Sequence, residues 1–424
     1  MELISWLLVV MGLAAGVYSN KVLLVSMDGF RWDYIRQTAT PHFDALAERG
    51  TRADFINNTF ITKTFPCHYS IATGLYEESH GIISNAMYDP ITGQRFNMGS
   101  KETFWWDGGE PLWVTVEKAG LKSATYYWPG SESVIRGHRP TEYRKYNESV
   151  EFNVRVDTVV DWLTDPEKDI SFAMLYFHEP DLTGHVYGPD SEEVLAKVRA
   201  MDEVLGYIVS SFDSARLWES VNLIVTSDHG MTQIDSSNLI DLLHYVSNDV
   251  LIQVPPSMGS TANIMVAAGK VDEVLRNLSR AEHMDVYRRQ DVPERFHYSN
   301  NPRILDIVAI ADEHWTIVRN ASTYKDRSKG AHGYDNTLMS MKPIFYARGP
   351  NIAANTVVEP FNSVDIYPMV CNILGIQPAP NNGSLENIRG FLKLSATNGA
   401  SQLCSVYAFL VMPLFLHLHI SAFL

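Results

Sequence analysis

The sequence predicts an α/β fold: a doubly wound, mostly parallel sheet with helices on both faces. Apolar runs of strand length recur along the chain, and helical patterns separate them. The runs are VLLVS (Val22 to Ser26), SATYYW (Ser123 to Trp128), FAMLYF (Phe172 to Phe177) and NLIVTS (Asn222 to Ser227). A strand with one wet face would alternate apolar and polar residues, whereas these are near-continuous, so both faces are expected to be covered. The clearest helix follows Ser191 and carries Leu195, Val198, Met201, Leu205, Ile208 and Phe212 on one face, spaced by three and four. A shorter one starts near Pro41 and stops at Gly50. In such a sheet, ligands bind beyond the carboxyl ends of the strands.

Composition narrows the function. The 424 residues are 46% hydrophobic and 20% charged, enough for a sizeable core and contrary to disorder. With 34 basic and 49 acidic residues the net charge is −15. That charge repels polyanions, which argues against a nucleic-acid polymer as partner and demands local positive charge for any anionic substrate. Cys67, Cys371 and Cys404 are too few for a disulfide scaffold, and whether Cys67 and Cys371 pair or remain buried thiols stays open. No internal repeat, low-complexity linker or obligate protein partner is evident.

Both ends read as address labels. Residues 1–19 are expected to be a signal peptide, since Leu7 to Gly16 is apolar and ends in small residues, although Glu2 replaces the usual basic start. Residues 393–424 are expected to be a spacer and hydrophobic C-terminal anchor signal. Val406 to Leu424 is long enough to span a bilayer, but it contains Pro413, His417 and His419, and no basic residue follows. With the small polar stretch LSATNGASQ upstream, a removable GPI-attachment signal is the expectation; a single membrane span and a buried or unstructured tail are the alternatives. Sequons at Asn57, Asn147, Asn277, Asn320 and Asn382 fit passage to the extracellular face of the plasma membrane.

The strand ends carry the chemistry. VLLVSMDGF delivers Asp28, FAMLYFHEPDLTGH delivers Asp181 and His185, and NLIVTSDHG delivers Asp228 and His229. One Asp after a strand is usually a cap or turn residue, but three such endings in one sheet imply a shared site. Asp181 and His185, four apart, can face one point on a helix, whereas the adjacent Asp228 and His229 converge only if the chain turns after its strand. Mixed carboxylates and imidazoles suit zinc better than calcium, which prefers more oxygens. KGAHGYDN offers His332 between glycines, either as a further ligand or as a surface loop residue. In FITKTFPCHYS, Pro66 marks the first turn of a helix and so puts Thr64 where free backbone N–H groups point outward.

These segments carry a resemblance. KVLLVSMDGFRWDY, FITKTFPCHYSIATGLYEESHGIISNAMYD, EPDLTGHVYGPDS, LIVTSDHGMT and HGYDN resemble, in order, the ecto-nucleotide pyrophosphatase/phosphodiesterase family of the alkaline phosphatase superfamily. The resemblance runs from Lys21 to about Leu392 and makes residues 20–392 a phosphodiesterase catalytic domain with an alkaline-phosphatase-like fold. It implies two zinc ions: Asp181, His185 and His332 on one, and Asp28, Asp228 and His229 on the other, with Thr64 beside them. It also makes Thr64 the nucleophile. A threonine hydroxyl has too high a pKa to attack phosphorus unaided, and a neighbouring zinc ion lowers it. Attack displaces the leaving group, and water then hydrolyses the phosphothreonine from the other side. Helix N–H groups after Thr64 and the side chain of Asn85 are expected to hold the non-bridging oxygens, though Asn85 is also a good turn former.

Phe65 and Tyr146 match positions where nucleotide-cleaving members of the family stack a base, while WWDGGEPLW, HYSNNPRI and VEPFNSVDIYPMV resemble the choline-phosphodiester branch. Small nucleotide phosphodiesters or pyrophosphates are therefore the expected substrates. Choline phosphodiesters such as sphingomyelin or lysophosphocholine are the first alternative, and a metal-stabilised binding ectodomain without turnover is the second. Thr62 and Lys63 are read as scaffold.

Overall fold

The computed structural model describes residues 20–254 and 259–393. Its main sheet has eight strands: β1 (Lys21–Met27), β2 (Thr51–Ala53), β3 (Lys122–Tyr126), β4 (Glu142–Arg144), β5 (Ile170–Phe177), β6 (Val221–Thr226), β7 (Phe345–Arg348) and β8 (Thr356–Val358). Six helices matter below: α1 (Pro41–Arg49), α2 (Thr64–Thr73), α3 (Phe152–Thr164), α4 (Asp181–Tyr187), α5 (Glu192–Ala215) and α6 (Ile366–Leu374). The strand order is β8-β2-β7-β6-β1-β5-β3-β4. Every pairing is parallel except those of β7, which runs against β6 and β2.

Alternation along the strands builds two cores. Val22 and Leu24 of β1, Phe172 and Met174 of β5 and Ile224 of β6 face one side, with Tyr69 and Ile71 of α2 and Tyr367 and Met369 of α6. Leu23, Val25, Ala173, Leu175, Leu223 and Val225 face the other, against Phe43 of α1, Trp162 of α3 and the long α5. The expected doubly covered sheet is thus present. The helix after Ser191 begins as expected, with the Ser191 hydroxyl accepting from Val194 N at 3.3 Å. Its buried face differs by one position: Val194, not Leu195, leads the row Val198, Met201, Leu205, Ile208 and Phe212, because only Val194 keeps the four-three spacing.

A second, four-stranded antiparallel sheet, which the apolar runs did not reveal, is formed by Leu251–Gln253, Thr261–Val266, Met284–Arg288 and Ile307–Ala311 and has its own core around Ile264, Ile307 and Ala309. Cys67 and Cys371 are separate buried thiols. Burial pushes both up, Cys371 to about 12. The expected signal peptide and, apart from Lys393, the expected spacer and anchor lie outside the described residues, among which no helix is long and apolar enough to cross a membrane. Of the sequons, Asn147 and Asn382 are exposed, Asn277 and Asn320 are half-buried, and Asn57 accepts from Lys342 Nζ at 2.9 Å.

α1 is anchored to α5 by one buried carboxylate. Asp202 accepts from His42 N at 3.1 Å and from Phe43 N at 2.9 Å, which satisfies free donors at the start of α1. Asp202→Ala is expected to lower the unfolding free energy by about 1–3 kcal/mol. This should appear as a reduced urea midpoint at unchanged slope, and an unaltered midpoint would show that water replaces the carboxylate at no cost.

Candidate active site

The parallel strands β5, β1 and β6 end side by side, and their ends carry the acids. Asp28 follows β1, Asp228 and His229 follow β6, and Asp181 opens α4 with His185 one turn later. The backbone extends the ladder into the site: Asp28 N donates to Phe177 O at 2.9 Å, and Asp181 N donates to Asp28 O at 3.0 Å. Gly29 makes this approach possible. Its φ of 65° lies in the left-handed region, its N–H donates to Asp228 Oδ1 at 3.1 Å, and a Cβ there would sit 2.7 Å from that of Asp181.

Three imidazoles are oriented alike. The Nδ1 of His185 donates to Gly330 O at 2.8 Å, that of His332 to Thr62 O at 2.8 Å, and that of His229 to Gly230 O at 2.9 Å. Each Nε2 lone pair is left facing the carboxylates. His185 and His332 lie 3.4 and 3.6 Å from Asp181, and their own Nε2 atoms are 3.1 Å apart. His229 Nε2 lies 3.1 Å from Asp228, 3.5 Å from Asp28 and 3.5 Å from the Thr64 hydroxyl. The structure therefore brings together all seven residues expected at the metals.

Electrostatics explains what such a cluster needs. Burial, then the charges of Asp228 and Asp181, push Asp28 well above the usual carboxylate range. Burial also raises Asp181, but His185, His332 and His229 outweigh it and hold the group at about 2. Burial lowers His185, and Asp181 outweighs that to bring it to about 9. His332 is driven well below its ordinary value by burial and by His229. Among the described residues, the ion-pair partners of the three acids are all histidines. Asp28 Oδ1, Asp181 Oδ1 and Asp228 Oδ2 are buried without a hydrogen-bond partner among the described residues. Orphaned carboxylate oxygens and converging imidazole lone pairs form a donor set that fits divalent cations. Asp181, His185 and His332 form one such group, and Asp28, Asp181 and His229 another.

A third group of suitable geometry includes His68, which the sequence reading passed over. Both its nitrogens have protein partners: Nδ1 lies 2.8 Å from Thr64 O and 3.1 Å from Asp228, and Nε2 lies 2.8 Å from Ser26 Oγ. His68 thus ties the backbone of Thr64 to Asp228. Its position in α2 one turn after Thr64 was the available signal. Tyr176 was also missed; its hydroxyl donates to Asp28 Oδ2 at 2.5 Å. Thr62, read as scaffold, is what orients His332.

Thr64 opens α2 and is nearly buried. The expected free N–H groups after it are not there: Phe65 N donates to Asn85 Oδ1 at 2.9 Å, Pro66 has none, and Cys67 N donates to Lys63 O at 3.0 Å. Because Oδ1 accepts from Phe65 N, Nδ2 is the end of the Asn85 amide left to donate, and it has no hydrogen-bond partner among the described residues. Thr64, Phe65, Asn85 and Tyr146 line one cavity of about 680 Å³, together with Asp28, Asp181, His185 and His332. Phe65 is backed by Phe96 and Trp106, each at 6.1 Å between ring centres, and Tyr146 by Tyr127 at 5.1 Å. The cavity's lysine, Lys101, pairs with Glu132 at 3.3 Å.

Comparison with known proteins names the class. The family model for type I phosphodiesterase / nucleotide pyrophosphatase matches residues 22–335. The chain belongs to this family, the ecto-nucleotide pyrophosphatase/phosphodiesterases. It is 43% identical over 379 residues to human ectonucleotide pyrophosphatase/phosphodiesterase family member 5, covering 88% of this chain and 78% of that one. It is 41% identical to human bis(5'-adenosyl)-triphosphatase ENPP4, covering 88% and 82%. It is 38% identical to rat family member 7, covering 86% and 85%. A solved structure of inactive murine family member 5 in complex with AMP superposes with a TM-score of 0.85 at 41% identity, covering 88% of this chain and all of that one.

The donor set predicts about two divalent ions per chain by elemental analysis of the purified protein, removed by a chelator and lost more readily in acid, where protons compete with metal for the ligands. A content near one, or ions that a chelator does not remove, would contradict that expectation.

Proposed function

We propose that the chain is an extracellular zinc phosphodiesterase that hydrolyses nucleotide phosphodiester or pyrophosphate bonds through a phosphothreonine on Thr64. One observation carries this reading: the Thr64 hydroxyl meets His229 and the converging acids in the cavity that Phe65 and Tyr146 also line. The relatives add support. One is named as a bis(5'-adenosyl)-triphosphatase, and another was solved with AMP as an inactive threonine-to-alanine variant. The relatives' names also carry the prefix that places them outside the cell, which accords with exposed sequons at Asn147 and Asn382.

In this reading Asp181, His185 and His332 would hold one zinc ion, and Asp28, Asp228 and His229 the other. Bound there, the two ions supply positive charge that acidifies an attacking hydroxyl and neutralises the phosphoryl oxygens. Thr64 Oγ1 attacks phosphorus in line, the P–O bond to the leaving group breaks, and water then cleaves the phosphothreonine to regenerate the hydroxyl. Asn85 Nδ2 donates to a non-bridging oxygen, with its amide held in that sense by Phe65 N–H. Phe65 and Tyr146 take a flat base between them.

Two substitutions test the assignment. Thr64→Ala is expected to reduce kcat more than a hundredfold, about 2.7 kcal/mol or more, while metal content and thermal stability are kept, and Thr64→Ser should retain part of the activity. An alanine variant above that limit would rule out covalent catalysis by Thr64. Phe65→Ala is expected to raise KM for a nucleotide ester about tenfold, near 1.4 kcal/mol, with less change for an ester lacking a base. If the wild-type protein cleaves a phosphocholine ester a hundred times better than any nucleotide by kcat/KM, the choline-phosphodiester function replaces this one.

A further inference from the structure

Arg155, in the first turn of α3, is fully buried yet makes no ion pair among the described residues. Its guanidinium is spent on main-chain carbonyls. Nε donates to Val150 O at 3.0 Å, and Nη2 donates to Val150 O at 2.9 Å and to Glu148 O at 3.1 Å. Nη1 donates to Tyr176 O at 3.2 Å. The guanidinium also lies over the rings of Phe152 at 4.8 Å and Tyr127 at 5.0 Å. A buried charge without a counter-ion is costly, and an apolar side chain would fill this space more cheaply if packing were the need.

What those bonds connect is specific. Glu148 and Val150 belong to the irregular segment that carries Tyr146, whereas Tyr176 sits on β5 and its hydroxyl holds Asp28. Tyr127, under the guanidinium, packs edge-on against Tyr146. Tyr146 is 47% exposed on a segment of no regular structure, so without such ties it would lose conformational freedom whenever a base stacked on it. We infer that Arg155 is a positioning residue for nucleotide recognition: it fixes the Tyr146 wall of the slot relative to β5 and the reacting centre. The inference rests on the nucleotide reading above.

The test uses two substrates with the same leaving group, the 4-nitrophenyl ester of thymidine 5'-monophosphate and methyl 4-nitrophenyl phosphate. With full-length protein, Arg155→Lys is expected to raise KM for the nucleotide ester about fivefold or more, while both kcat values and the methyl ester's KM stay within about twofold. In a Tyr146→Ala background the same substitution should add less than about twofold. Amide hydrogen exchange in residues 145–151 should quicken at least tenfold without change in β5. Equal losses on both substrates, additivity with Tyr146→Ala, or unchanged exchange would overturn the positioning role. So would failure of both Arg155→Lys and Arg155→Gln to fold, which would make the guanidinium a general stabiliser. A wild-type enzyme with no preference for the nucleotide ester would instead overturn the nucleotide reading, and the exchange measurement still decides the role of Arg155.

Discussion

Three carboxylates held together in a buried space are the constraint around which this protein is arranged. Parallel strands bring their carboxyl ends to the same edge, so Asp28, Asp181 and Asp228 converge simply because β1, β5 and β6 are neighbours. Like charges at such separations repel by several kcal/mol in a protein interior of moderate dielectric. The surroundings respond to that repulsion. Gly29 gives up its side chain and offers its N–H, Tyr176 donates its hydroxyl, His68 holds Asp228, and three imidazoles turn their lone pairs inward. The remaining orphaned oxygens express the same imbalance as a demand for cations.

Thr64 and the cavity it lines share parts. Phe65 forms one wall of the slot with its ring, and its backbone N–H fixes the amide of Asn85. A shift of α2 would therefore move the Thr64 hydroxyl, the Asn85 amide and the Phe65 ring together. Phe65 stands on a regular helix against a dense aromatic cluster, whereas Tyr146 stands on an irregular segment tied down through Arg155 and Tyr127. The two walls are thus held by different means, one through apolar packing and the other through hydrogen bonds to carbonyls.

Much of the site was legible because its residues lie in short segments of strong pattern. An apolar run that ends in an acid reads the same in sequence as in space, since a buried parallel strand has few ways to end. The helix after Ser191 was legible from its spacing, and its one error, Leu195 for Val194, arose because two adjacent apolar residues compete for one position on a face. The second sheet was not legible. Ile307–Ala311 is a continuous apolar run that the reading passed over, while Leu251–Gln253 and Met284–Arg288 are short and partly exposed, and antiparallel pairing leaves no run of strand–helix repeats to announce the sheet.

From the chain alone came the class of fold, the strand ends that bear the acids, and Thr64, Asn85, Phe65 and Tyr146 as residues bound for one place. These depend on local periodicity and on motif, both of which are written along the sequence. Only the tertiary structure decided that the N–H groups after Thr64 are already taken, that Thr62 and Gly330 set the imidazole tautomers, that His68 bridges the Thr64 backbone and Asp228, and that a buried arginine donates to the carbonyls of the Tyr146 segment. Each of these is a hydrogen bond between segments far apart in the chain or between a side chain and the main chain. The partner of such a bond is chosen by distance and angle in space, which no residue type or spacing specifies.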